Sequence, residues 1–205
     1  MPQANNTQTA NAGSIRRTME ALAERNVEAV LVSDAEEALA RLKELVPEGS
    51  EVFVNTSETL SSIGYTGYMH GNDRYVNLHD RMMALPDPAE QREFRRKTTT
   101  ANYFVGSVQA IAETGEIVVA SGSGSQIGAY SYGAKRLILV AGTQKICATL
   151  AEAEARTRGY TLERHDRWLE DQGRVATPIG KYMVMEHEPM AGRITLILIP
   201  ESLGW

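Results

Sequence analysis

Four groups of residues in this chain have the types and spacing to do chemistry. The first is Glu113, followed by Thr114 and Gly115 between two apolar runs. Glycine accepts positive φ, so Thr114-Gly115 reads as a hairpin turn. The hairpin sets Glu113 at a strand end, where α/β sheets collect their ligands. A carboxylate there suits a nucleophile or general base; the plainer reading is a solvated turn residue. The second group is the loop Gly122-Ser123-Gly124-Ser125-Gln126-Ile127-Gly128. Backbone N–H groups exposed in such a loop can bind an anion, although flexible solvent loops share the composition. Ile127 stands where a dinucleotide fingerprint needs its third glycine, and no Gly-Lys-Ser/Thr follows as in a P-loop. The third is Lys145, which follows Gly142-Thr143-Gln144 beyond the strand Arg136–Ala141. It can steady an anionic group or be an ordinary surface lysine. The fourth is Asn55-Thr56-Ser57-Glu58-Thr59, a strand end running into a helix start whose free N–H groups suit an anion, or a plain N-cap.

Other chemistries find no support in the pattern. The histidines, His70, His79, His165 and His187, form no local zinc-binding pair. Cys147 is the single cysteine, so the chain holds no disulfide or multi-cysteine cluster of its own. It sits in an apolar context and reads as a small buried hydrophobe. No Gly-x-Ser-x-Gly elbow is present. No metal or cofactor is expected.

These candidates need a scaffold, and the periodicity supplies one. Ile15, Met19, Leu22 and Ala23 recur at helical spacing. Val27–Val32 reads as a buried strand. Ser33 or Asp34 caps a second helix striped by Ala35, Ala38, Leu39, Leu42 and Val46, and Glu51–Asn55 is the next strand. Strands alternating with amphipathic helices imply a three-layer α/β/α sandwich with a mainly parallel sheet. Gly64–Gly71 reads as a lid or a packed connection, and Tyr75–Leu78 as a short strand. Pro86 and Pro88 introduce a basic helix ending near Thr98. Its arginines are read as a solvated face rather than a phosphate patch. The helix capped by Thr149 is expected to end near Gly159, with residues 160–180 irregular. Lys181–Glu188 and Arg193–Ile199 are expected to close the fold as a strand pair around the turn Pro189–Gly192.

Length and composition set the outer bounds. A chain of 205 residues, 42% hydrophobic and 23% charged, has the balance of a globular domain. Residues 1–13 read as a disordered tail and residues 14–205 as one domain. The net charge of −5 gives no basic footprint for nucleic acid. No apolar run approaches the roughly 20 residues a spanning helix needs, and no leader is visible, so a cytoplasmic setting without membrane contact is expected. A homo-oligomer is left open.

The motifs in their order resemble the LUD-domain family, the lactate-utilization domain proteins. They are Ser57-x-Thr59-Leu60, Ala110-Ile111 with Glu113-x-Gly115, Gly122-x-Gly124, Gly142-x-x-Lys145-Ile146, and Arg193-Ile194-x-Leu196-Ile197-Leu198-Ile199 with Leu203-Gly204. The resemblance spans roughly Ile15 to Trp205. It implies a fold like the ribose-phosphate isomerase, glucosamine-phosphate deaminase and CoA-transferase group, whose members bind phosphates, carboxylates or thioesters at strand ends. CoA transferases use a glutamate nucleophile, which draws attention to Glu113. The resemblance also implies a role in L-lactate or organic-acid oxidation beside iron–sulfur partner subunits, with a small anionic metabolite as ligand. The other readings are a free-standing CoA-transferase- or isomerase-like enzyme using Glu113, and a non-catalytic scaffold for those subunits. The expected binding residues are Ser57, Thr59, Thr114, Gly115, Gly122, Ser123, Gly124, Ser125, Gln126, Gly142 and Lys145. Two departures stand out: Ser125-Gln126 replace an Asn-Arg pair of the relatives, and residues 160–185 lack the cysteines some of them carry.

Overall fold

The computed structural model describes residues 6–205. In chain order its elements are α1 (Ala12–Glu24), β1 (Val27–Leu31), α2 (Ala35–Leu45), β2 (Glu51–Val54), α3 (Glu58–Ser62), α4 (Tyr65–Met69), β3 (Val76–Asn77), α5 (Leu78–Met83), α6 (Pro88–Thr98), β4 (Tyr103–Ser107), β5 (Ala110–Ala112), β6 (Ile117–Ser121), α7 (Ser125–Gly128), β7 (Arg136–Gly142), β8 (Ile146–Cys147), α8 (Leu150–Arg156), α9 (Leu162–Asp171), β9 (Lys181–Met185) and β10 (Ile194–Ile199). Six strands form one sheet in the order β1-β10-β7-β4-β2-β3, and every neighbouring pair is parallel.

Alternation along the central strands buries both faces of this sheet. In β7, Leu137, Leu139 and Ala141 join one core, and Ile138 and Val140 the other. This is the two-residue period of a strand covered on both sides. One face is covered by α2, α3 and α4 through Ala38, Leu42, Leu60, Tyr65 and Met69. The other is covered by Leu22 of α1 and Leu78 and Met82 of α5, together with Ile111, Ile117 and Val119. The last three belong to a second sheet, ordered β8-β5-β6-β9, which mixes parallel and antiparallel pairs. The chain is thus α/β as expected, but one outer layer is shared between helices and a small mixed sheet.

Several expectations are corrected. β9 and β10 are not partners. β9 pairs with β6, Ser121 opposite Lys181, while β10 lies between β1 and β7 in the parallel sheet. The physical reason lies in the connection. Glu188 turns its carboxylate inward to Arg193, 2.6 Å away, with both side chains almost wholly buried. Arg193 also donates to the carbonyls of Ala129, Ala134 and Tyr130. What read as a tight turn is a buried ionic anchor. β1 is an edge strand, not a buried one, and Leu31 is exposed. Gly159 does not end a helix: α8 continues through a π-helical turn, Thr157–Thr161, into α9. Gly64–Gly71 holds a packed helical turn with Tyr65 and Met69 buried. Asn11 accepts from the Ser14 N–H and caps α1, so the helix begins inside the stretch expected as a tail. Residues 1–5 of that stretch lie outside the described residues. Among the described residues no helix is long and apolar enough to cross a membrane.

Removing one partner of a buried ion pair strands the other charge. Arg193→Met is therefore expected to lower unfolding free energy by about 3–5 kcal/mol, read as a lower urea midpoint with an unchanged m-value. A loss under about 1 kcal/mol would show that the pair anchors nothing.

A cationic cleft at the strand ends

A cleft of about 370 Å³ opens at the carboxyl ends of β2, β4 and β6. Lys145 forms part of its floor, 2% exposed. Its ammonium donates to Thr59 Oγ1 at 2.9 Å, Ser107 Oγ at 3.1 Å and the Val108 carbonyl at 3.0 Å. The two hydroxyls pass their own protons outward. Ser107 donates to Thr59 Oγ1, and Thr59 to the Leu203 carbonyl at 3.2 Å. Both hydroxyls therefore present lone pairs to Nζ. All three ammonium protons are satisfied, but no carboxylate of the described residues pairs with the charge. Burial, helped by the charge of Arg156, pushes the Lys145 amine down to about 7.

The lysine's partners are themselves held in place. β4 carries glycine at 106 because the Tyr130 ring crosses it: an added Cβ would lie 2.0 Å from the Tyr130 hydroxyl. That hydroxyl donates to the Ser107 carbonyl at 2.9 Å, and Tyr130 stands in the π-helical turn Ala129–Gly133 that Arg193 grips. Thr59 is buried at the start of α3, whose N-cap is Ser57. The C-terminal segment bonds to Thr59 and to Gln144 through Leu203. It carries Trp205 to the cleft wall.

The charge around the cleft is one-sided. Lys145, Arg95 and Arg174 line it, with Glu58 as the single acid among the lining residues. His79 and His165 also line it, and burial lowers the pKa of each. Behind Gln109, Arg156 is a second buried cation, bonded to Gln109 O, Thr161 Oγ1 and Asn6 O rather than to a carboxylate.

Of the residues expected at the site, Ser57, Thr59, Gly122, Ser123, Ser125, Gln126 and Lys145 line this cleft. The others do not. Gly124 caps α7 in the left-handed region, against Lys181. Gly142 packs against the backbone of Glu201. Gly115, at φ 93°, makes the turn and abuts α1. Thr114 bonds to the Glu116 carboxylate and to Arg25. The glycine loop is less open than its composition suggests, since the Gly124 and Ser125 N–H groups donate to the hydroxyls of Ser121 and Ser123. Gln126 bonds to Asn55 and Ala120.

Glu113 lies outside the cleft as well. It accepts from Ser14 Oγ and from Arg17, whose Nη2 is 2.7 Å away, and so ties the hairpin to α1. These contacts hold its carboxyl below the ordinary value: the Ser14 hydrogen bond contributes most, burial opposes it, and Arg17 adds to it. A general base tuned toward neutral pH would be raised instead. The aromatic part of the wall, His165, Trp168 and Trp205, lies outside the residues expected at the site. Leu162, His165, Trp168 and Leu169 fall at helical spacing, and they form α9 where an irregular stretch was expected.

The fold places the chain among α/β proteins, with a cleft at the parallel strand ends. It belongs to the LUD-domain family, whose model matches residues 15–198. A DUF162 family protein from Deinococcus radiodurans has a similar structure, at TM-score 0.56 and 14% identity over 93% of this chain and 98% of that one. The β subunit of eIF2B from Chaetomium thermophilum matches at TM-score 0.36 and 12% identity, over 58% of this chain and 44% of that one; this likeness is too weak to carry an argument. No curated protein matches the chain.

Glu113→Gln is expected to cost about 1 kcal/mol at neutral pH, the scale of a partly exposed charged hydrogen bond. The depressed carboxyl contributes in full above its ordinary value of 4.5 and loses that contribution as pH falls through its lower folded value. The variant's acid-unfolding limb should therefore be shallower. Ligand affinity at the cleft should stay unchanged, and a large loss of affinity would return Glu113 to the site.

Proposed function

We propose that this LUD-domain chain binds a small carboxylate or acyl metabolite in the Lys145 cleft, as an accessory component of L-lactate or related organic-acid oxidation. The observation that carries this reading is the buried Lys145 ammonium without a protein carboxylate. A buried charge without a counter-ion is costly, and an anionic ligand supplies the missing charge. Thr59 and Ser107 orient the ammonium. Ser57, Gly122, Ser123, Ser125 and Gln126 form the polar rim, with Arg95 and Arg174 beside them. The parallel sheet with its cleft at the strand carboxyl ends supports kinship with the deaminase, isomerase and CoA-transferase group. Family membership supports the oxidation role. With one cysteine in the sequence, electron transfer is assigned to iron–sulfur partner subunits.

The ionic state of Lys145 makes the reading testable. The ligand needs the ammonium, and the amine of the empty cleft titrates at about 7. Affinity for L-lactate or pyruvate should be full below that pH. It should fall roughly tenfold per pH unit above it until the amine of the complex also titrates. In the empty protein the sign is opposite. The unfolded amine holds its proton up to about 10.5, so stability rises as pH climbs from 7. Lys145→Met should remove carboxylate binding and both pH dependences while leaving the protein folded. Calorimetric affinities that do not respond to pH or to Lys145→Met would sink the proposal.

A further inference from the structure

The aromatic wall of the cleft is larger than a simple acid can use. Trp168 and Trp205 are the chain's two tryptophans, and both line the cleft. Their ring centroids are 6.4 Å apart, and His165 stacks on Trp168 at 5.8 Å with the planes 20° apart. Of the ten residues of α9 only Leu169 is buried. The Trp168 ring is therefore not consumed by the core; together with His165 and Trp205 it stays partly open at the cleft. Clustered rings that stay partly exposed in a cleft offer a stacking surface, even with Arg164 lying 6.0 Å from the Trp205 ring centroid. A three-carbon acid occupies roughly 100 Å³ at liquid density, against about 370 Å³ here. It would satisfy Lys145 and leave the wall bare. Arg174 lines the same cleft and adds positive charge.

We propose that the cleft is built for an anion bearing a planar ring, with its acid group at Lys145 and its ring against Trp168 and Trp205. This rests on the carboxylate reading of Lys145 and extends it: the ligand is a ring-bearing acid or acyl compound, not the three-carbon acid itself.

L-lactate and L-3-phenyllactate share one head group and differ by a ring, so they separate the two claims. Both tryptophans report on the cleft, and their fluorescence can follow each titration beside calorimetry. Phenyllactate should bind at least about tenfold tighter than lactate, the scale of one stacking contact, and should quench the fluorescence. The neutral amide of phenyllactate should bind much more weakly than the acid. Trp205→Ala, and separately Trp168→Ala, should weaken phenyllactate far more than lactate and so narrow the gap between the two acids. Equal affinities for the two acids in the unmodified protein would overturn the ring subsite and leave the carboxylate site standing. Binding of neither acid would overturn both. A preference for phenyllactate that survives both tryptophan substitutions would also overturn it, by moving the ring elsewhere.

Discussion

The structure around the cleft depends on one buried ammonium that the protein itself does not neutralise. Lys145 is fully hydrogen-bonded, but its three acceptors are neutral. Neutral acceptors satisfy the donors and leave the charge. The acceptors come from two pieces of chain: Thr59 near the start of α3, and Ser107 with its neighbour Val108 where β4 ends. The lysine therefore ties its own connection after β7 to two others that the parallel sheet already brings to one edge. A carboxylate in place of Thr59 would relieve the charge and close the site to anions. Two hydroxyls and a carbonyl orient the ammonium and leave its charge for a ligand.

That arrangement needs support from further away, because a buried cation with weak partners would otherwise recruit water or swing out. Support comes through a chain of close contacts. Glu188 and Arg193 form the one ion pair in which both side chains are buried among the described residues, and Arg193 grips the turn carrying Tyr130. Tyr130 lies across Gly106 and holds the Ser107 carbonyl. On the other side, Leu203 receives the Thr59 proton and a Gln144 N–H. The glycine at 106 and the spacing from Gly142 to Lys145 are packing requirements of the site rather than ligand contacts.

What could be read in the sequence follows from the range of the interactions involved. The helices of the first half and the strands of the parallel sheet were legible, because hydrophobic period and capping are local: Asp34 caps α2 as its side-chain chemistry allows, whereas the Asn11 cap of α1 lay inside the stretch read as a tail. Lys145 was legible as a residue at a strand end, but its burial was not, since its partners lie 86, 38 and 37 positions away. The tie of Glu113 to α1 was hidden for the same reason. A turn carboxylate looks available until its partner on α1 is known, and Ser14 is 99 residues distant. The strand pairing of β9 failed because adjacency in sequence suggested a hairpin, whereas a buried ion pair in the connection diverts β10 into the central sheet.

The two sheets divide the work of the cleft, and this explains why its polar and aromatic parts were unequally visible. The parallel sheet contributes Asn55, Thr59, Ser107 and Lys145 at its strand ends, positions that any α/β pattern marks as interesting. The mixed sheet contributes Ala120 and Ser121 from β6, and the segment leading into β9 contributes Thr177 and Pro178. The helix α9 then lays His165 and Trp168 alongside. None of these second-layer residues sits in a motif. Their role follows from β6 and β9 pairing, which turns residues 173–180 back across Ser121, as the Gly180 N–H bond to the Ser121 carbonyl records. The polar floor is thus written into local strand–loop junctions, while the aromatic wall is assembled from α9 and the distant C-terminal segment. A ligand that touches both therefore reads the assembled domain rather than any one segment of it.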